Sequence, residues 1–100
     1  MGNIYDGTDR RMGMIDDERV IWNVQSKKIG YADGKRIFDM DGHSIGWVDV
    51  DGKIYDGDDH HAGYVDPAGV VYDWNARKIG RSEVPHMELG AGALLLLIMR

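Results

Sequence analysis

The sequence has no cysteine in its 100 residues, which excludes disulfides and thiolate-bound metals. It has no excess of base. The formal net charge is -5, the wrong sign for nonspecific nucleic-acid binding, so nucleic acid is excluded as a partner. No block of like charge marks a tail. The longest apolar run, Leu89 to Met99, has 11 residues, against about 20 for a membrane-spanning helix. No charged-then-apolar leader opens the chain, and position 6 is Asp rather than the Ser or Thr of a myristoylation signal. The expected location is the cytoplasm, with any membrane association made by surface contact. No Ser-His-Asp set, catalytic carboxylate pair or phosphate loop stands out, so the expectation is a non-enzymatic protein with no cofactor and no metal.

What the sequence does contain is a five-fold repeat of about 17 residues, and self-similarity at a fixed period decides an architecture before residue chemistry does. Its frame is Gly-x-(Ile/Val)-aromatic-(Asp/Asn), seven residues ending in an apolar-Gly pair, then a further Asp. The aromatics are Tyr5, Trp22, Phe38, Tyr55 and Tyr72, spaced 17, 16, 17 and 17 apart. The glycines that follow them are Gly13, Gly30, Gly46, Gly63 and Gly80. The units run 2–18, 19–33, 34–51, 52–68 and 69–83, within one domain. A chain this short buries only a modest core, so closure around a central filler would help it.

Each unit holds two short segments rich in Ile, Val and aromatics, as strands require. Between them in the third unit lies Asp41-Gly42, which predicts a two-residue type I′ turn. Pairing outward from that turn sets Asp39 opposite Ser44, Phe38 opposite Ile45 and Ile37 opposite Gly46. The same register then holds for all five hairpins. Between units, Asp49-Val50-Asp51-Gly52 and Asp66-Pro67-Ala68-Gly69 suit a type I turn followed by a glycine bulge. Asp16 to Arg19 has that form with Arg in place of Gly. Asp33-Gly34 is one residue shorter, hence the single 16-residue spacing. These turns put Ile15 opposite Ile21, Val48 opposite Ile54 and Val65 opposite Val71.

Two faces follow from the alternation. The first carries Ile4, Ile21, Ile37, Ile54 and Val71, the five glycines, and Ile15, Ala32, Val48 and Val65; it is smaller and more uniform and is expected inside. The second carries the aromatics, their partners Met12, Ile29, Ile45, Ala62 and Ile79, and Met14, Tyr31, Trp47, Tyr64 and Arg81. After Ser82 the repeat stops, and residues 87–99 read as an apolar helix, since a helix apolar all round is a buried one. Ten strands close at a backbone radius of roughly 10 Å, enough for a helix on the axis. The predicted fold is all-β: a closed up-and-down antiparallel barrel of five hairpins around a hydrophobic C-terminal helix. An eleventh strand and an apolar anchor are the other readings of the tail.

Repeats such as Gly69-Val70-Val71-Tyr72-Asp73 followed by Lys78-Ile79-Gly80-Arg81, with the Leu-rich end, resemble the β-flower family over residues 2–82. These are small bacterial proteins whose hairpin petals form a shallow barrel, similar in shape to tubby-like domains. The resemblance implies a fold and no particular activity. Through the tubby-like shape it also implies binding of phosphoinositide-type anionic lipid.

Four features have a chemical reading. Asp39-Met40-Asp41-Gly42 and Asp49-Val50-Asp51-Gly52 look like fragments of calcium loops, but they lack the further oxygen ligands, and turn chemistry explains them better. His60 and His61 are adjacent on a strand and point to opposite faces, so they do not converge on one ion. The aromatic stripe would suit sugar or choline in an extended hairpin solenoid of the cell-wall-binding kind; packing of each aromatic across from a glycine is the plainer account. The paired positions Asp6–Arg11, Asn23–Lys28, Asp39–Ser44, Asp56–His61 and Asp73–Lys78 ring one mouth in the expected register. They define a ligand rim of Arg10, Arg11, Lys27, Lys28, His43, His60, His61, Arg77 and Lys78. The expected function is a small binding or interaction module, monomeric or weakly self-associating, with a protein or an anionic lipid surface as partner.

Overall fold

The computed structural model describes residues 2–99. Ten strands form five hairpins, here called petals 1 to 5. They are β1 (Gly2–Asp6) with β2 (Arg11–Ile15), β3 (Val20–Asn23) with β4 (Lys28–Asp33), β5 (Arg36–Asp39) with β6 (Ser44–Val48), β7 (Lys53–Asp56) with β8 (His61–Val65), and β9 (Val70–Asp73) with β10 (Lys78–Ser82). Every strand pairs with its sequence neighbours, and β10 pairs with β1 through Ile4–Ser82 and Asp6–Gly80, so the barrel is closed. Its extents are 29 × 29 × 21 Å, a short, wide cylinder. Closure rules out the extended solenoid, and with it the carbohydrate-binding reading that depended on open clefts.

The smaller face is inside, as its composition suggested. Ile4, Ile15, Ile21, Ile37, Ile54 and Val71 are fully buried, and all five repeat glycines are buried with them. The pairs Ile15–Ile21, Val48–Ile54 and Val65–Val71 form as expected.

The hairpin register departs from expectation toward each tip. Ile37 faces Gly46, but Phe38 faces Ser44 rather than Ile45, because the register shifts between Ile37 and Phe38. The same shift occurs in all five petals, so Tyr5 faces Arg11, Trp22 faces Lys28, Tyr55 faces His61 and Tyr72 faces Lys78. A β-bulge sets two residues against one and re-aims the extra side chain. The extra residues are Met12, Ile29, Ile45, Ala62 and Ile79. Ile29, Ile45 and Ile79, expected outside, instead pack against the core.

The tip loop is also longer than a type I′ turn. Gly42 N–H donates to the Asp39 carbonyl and Asp39 N–H to the His43 carbonyl, both at 3.1 Å, so three residues make the loop. Only the last of the three has a positive φ, +83° at Gly42, where a type I′ turn needs two such residues. The Asp33 connection is the two-residue turn expected: Asp33 pairs with Arg36, and Gly34 supplies a positive φ of +60° at the first central position.

The aromatics do not lie across from glycines. Each packs on the outer residue of the neighbouring petal: Tyr31 on Phe38, Trp47 on Tyr55 and Tyr64 on Tyr72, with ring centroids 5.1, 4.2 and 4.8 Å apart. The seam between petals 5 and 1 is made by the Arg81 guanidinium 3.9 Å from the Tyr5 ring centre. Stacked rings and a cation over a ring add specificity to cross-strand pairing, so this girdle ties petal to petal.

The C-terminal segment runs up the axis as expected, in two parts. Helix α1 (Met87–Ala93) is followed by a π-helical turn, Leu94–Ile98, closed by Met99 N–H donating to the Leu94 carbonyl at 2.9 Å. Side-chain size along the axis complements the wall. Where the wall carries Ile and Val, the helix carries Gly90, Ala91, Gly92 and Ala93, all buried. A Cβ on Gly92 would strike Ile37 Cδ1 and lie 2.8 Å from Val48 Cγ2. Where the wall carries glycine, the axis carries five large side chains. A Cβ would lie 2.7 Å from Leu94 at Gly80, 2.7 Å from Leu95 at Gly63, 2.8 Å from Leu97 at Gly30 and 3.4 Å from Ile98 at Gly13; at Gly46 it would collide with Leu96. Five consecutive residues thus serve five consecutive petals. An α-helix turns about 100° per residue and cannot do this. A wider i→i+5 turn advances closer to a fifth of a circle per residue, which matches the barrel.

Candidate functional site at the hairpin-tip mouth

One mouth of the barrel is formed by the five hairpin tips, and each tip is built from one residue. Asp39 Oδ1 accepts the N–H groups of Asp41 and His43 at 2.9 and 3.0 Å. Asp6, Asn23, Asp56 and Asp73 accept the corresponding pair in their own loops. This side-chain mimicry of a backbone turn explains why each unit carries Asp or Asn after its aromatic. The second oxygen is left for the residue four positions on. Arg10 Nε lies 3.3 Å from Asp6 Oδ2, His43 Nδ1 3.5 Å from Asp39 Oδ2, His60 Nδ1 3.8 Å from Asp56 Oδ2, and Arg77 Nε 3.5 Å from Asp73 Oδ2.

These bonds hold the charged carboxylates. The Thr8 hydroxyl, followed by the Arg10 and Thr8 amides, lowers the Asp6 pKa from 3.8 to about 2. The His43 amide does most to lower Asp39, against the opposing effect of its burial. Hydrogen bonds to the ionised form are the cause in both cases.

The bulges divide the nine expected rim residues. Arg10, Lys27, His43, His60 and Arg77 occupy the same place in each tip, opposite the Asp or Asn, and ring the mouth. Arg11, Lys28, His61 and Lys78 are the first residues of their strands and face the aromatics on the outer wall. Arg11 donates to Asn3 Oδ1 at 3.1 Å, Lys28 sits 5.4 Å from the Trp22 ring centre, and His61 packs against Tyr55 and Trp74. The expected facing pairs, such as Asp6 with Arg11 and Asp56 with His61, are therefore replaced by Asp6 with Arg10 and Asp56 with His60.

Two features of this mouth were not read from the sequence as parts of a site. The first is its floor. Leu95, Leu96, Leu97 and Ile98 are half-buried, and Met99 is 46% exposed. In sequence these residues read as core filler, a strand or an anchor, and not as the floor of a site; the signal was an apolar run that continues past the helix turns needed to fill a short barrel. The second is the sorting of charge. Petals 5, 1 and 2, contiguous through the β1–β10 pairing, carry Arg77, Lys78, Arg10, Arg11, Lys27 and Lys28 against Asp73, Asp6 and Asp9. Petals 3 and 4 carry Asp39, Asp41, Asp56, Asp58 and Asp59 with His43, His60 and His61, and no Lys or Arg at residues 39–44 or 56–61.

Petals 3 and 4 also bring together Asp39, Asp41 and His43, and Asp56, Asp58 and His60, with one donor atom from each residue within 4.8 Å of the others. The donor types suit a divalent ion. However, one oxygen of Asp39 and one of Asp56 already cap the turn, and the other two residues of each set are exposed. The sequence pattern shows Asp39 with Asp41 but not with His43, and sets His60 beside His61 instead of with Asp56 and Asp58.

The opposite mouth is formed by the connections between petals. Asp16, Asp49 and Asp66 cap their turns as the tip residues do. Asp16 also accepts the Trp22 indole N–H at 2.9 Å; burial alone would raise its pKa, but this bond and the Val20 and Glu18 amides leave it lowered. Here the chain enters the barrel, leaving a cavity of about 410 Å³ beside Arg19, Lys35, Asp49, His86 and Glu88.

Fold and mouths together define a class: a pseudo-five-fold hairpin barrel plugged by its own C-terminus. The chain matches the family model described as 5-fold beta-flower protein over residues 1–93, and it belongs to that family. No curated protein and no solved structure matches it. Among the described residues, no helix is long and apolar enough to cross a membrane.

Proposed function

We propose that the protein is a non-enzymatic interaction module and that the tip mouth is its working surface. The observation that carries this reading is the half-exposed apolar floor, Leu95 to Met99, enclosed by five charged tips. Protein interfaces have this anatomy, an apolar centre within a polar rim. The carboxylates with lowered pKa values support the non-enzymatic part of the reading. Asp6, Asp16 and Asp39 are each accounted for by the turn they cap and do not converge on one cavity.

The test is a photo-crosslinking residue placed at Met99, compared with one at Val50 on the opposite mouth, which is 80% exposed. The expected result in expressing cells is a discrete adduct from Met99 and none from Val50. Equal labelling from both positions, or from neither, would remove the tip mouth as the surface.

A second reading, contact with an anionic lipid surface, draws on the rim cations Arg10, Lys27 and Arg77 of petals 1, 2 and 5. The eight tip aspartates oppose it, since they outnumber those cations. Sedimentation with anionic vesicles at low salt checks it, and binding that fails to weaken with added salt would discard it.

A further inference from the structure

We propose that the tip mouth docks face to face on the tip mouth of a second copy of this chain. The inference rests on the reading of that mouth as the working surface and names its partner. Its basis is the sorting of charge around the ring. Petals 5, 1 and 2 hold all the Lys and Arg of the tip end, Arg10, Lys27 and Arg77 on the rim and Arg11, Lys28 and Lys78 on the outer wall beside it, so petal 1 is the centre of a basic sector, and the gap between petals 3 and 4 is the centre of the acidic one. With five petals, the line through petal 1 passes through that gap on the far side. A two-fold axis lying between the mouths, perpendicular to this line, turns each basic sector onto the partner's acidic one.

The same operation staggers the tips. Petal 1 of one copy falls between petals 3 and 4 of the other, petal 3 between petals 1 and 2, and petal 4 between petals 5 and 1. Odd symmetry makes the tips interdigitate where an even ring would set them tip on tip. Asp41 then approaches the cations of petals 1 and 2, and Asp58 those of petals 5 and 1. Such an interface is self-complementary, as a two-fold dimer requires.

Three further observations favour a second copy over other partners. The rim presents both signs of charge, with Arg10, Lys27 and Arg77 on one side and Asp41, Asp58 and Asp59 on the other, which suits neither a polyanion nor a polycation. Lys27, Asp41 and Asp58 lie at the tips, are exposed and make no ion pair among the described residues, so they are available across an interface. A disc 29 Å across covers roughly 660 Å², so two mouths bury roughly 1,300 Å², within the range of specific interfaces. The floors, Leu95 to Met99, meet at its centre, where apolar contact contributes most.

The experiment is the mass of the purified protein in solution against concentration, by sedimentation equilibrium at low salt. The expected result is a reversible dimer of the 11.2 kDa chain, with a dissociation constant on the order of micromolar, weakened by salt. Asp41→Lys with Asp58→Lys, or Lys27→Glu with Arg77→Glu, should each weaken the dimer by about tenfold or more. Mixing the two double variants should restore a dimer containing one of each. The single changes Asp58→Lys and Lys27→Glu carry the same test if a double variant misfolds.

A protein that stays monomeric at every concentration overturns the proposal, and so does a dimer indifferent to these changes. A monomer whose Met99 crosslinks to another protein would keep the tip mouth as the surface while discarding the second copy. A monomer that binds anionic vesicles would replace it with a lipid surface.

Discussion

The two mouths of this barrel use the same turn and differ in what fills the centre. At the tips, Asp6, Asn23, Asp39, Asp56 and Asp73 each cap a three-residue loop. At the connections, Asp16, Asp49 and Asp66 cap loops of the same kind. Local chemistry therefore does not distinguish the ends. The connection mouth has no fifth turn, because residues 83–86 lead the chain inward there instead, and a cavity of about 410 Å³ stays open beside the thin helix. The tip mouth receives one large side chain per petal and is closed. A five-fold wall is sealed by five residues in a single turn, and the π-helical geometry of Leu94–Ile98 supplies them.

The largest expected effect breaks that seal. Leu94 is fully buried against Gly80, so Leu94→Ala should cost about 2–5 kcal/mol, read from urea unfolding. Gly46→Val attacks the same level from the wall, where the new side chain would collide with the Tyr55 carbonyl oxygen and with Leu96 at a φ of +154°, and should cost at least about 1–3 kcal/mol. A stabilised Gly46→Val protein would mean that wall and plug are not matched as described.

A smaller effect tests the sameness of the turns. Asp56→Ala at a tip and Asp66→Ala at a connection each remove two hydrogen bonds to backbone amides. Both should cost about 1 kcal/mol. A clear loss at one end only would show that the two mouths differ in their turns as well as in their filling.

The smallest effect is set by acid. The folded state lowers the Asp6 pKa from 3.8 to about 2, chiefly through Thr8, so it favours the ionised form. That contribution is fully present above about pH 4 and is lost as the pH falls toward 2. Thr8→Val should raise the Asp6 pKa toward its ordinary value, measured by carboxyl carbon NMR, and should shrink the loss of stability between about pH 4 and pH 2. An unchanged titration would show that Thr8 does not hold this carboxylate.

Much of the fold is legible because it is periodic. The glycine at every seventeenth residue or so, the Ile or Val two positions before each tip Asp or Asn, and the apolar tail each follow from alternation and propensity acting over a few residues. The candidate site is less legible. The rim residues were chosen from a hairpin without a bulge, and one extra residue per hairpin moved Arg11, Lys28, His61 and Lys78 to the outer wall. Nothing in Met12, Ile29, Ile45, Ala62 or Ile79 marks the bulge by itself. It is the joint result of the three-residue tip loop and of the Ile–Gly pair at the waist.

By itself, the sequence determined the number of hairpins, the inner face and the presence of an axial segment. Those depend on hydrogen bonding and burial between residues near one another in the chain. Only the tertiary structure decided the register in which β1 meets β10, that petals 5, 1 and 2 become one basic sector, and that five consecutive residues spread into a π-helical turn beneath the tips. These depend on contacts between the two ends of the chain. A repeat specifies what each petal looks like, whereas the way unlike petals sort around a ring is a property of the closed barrel.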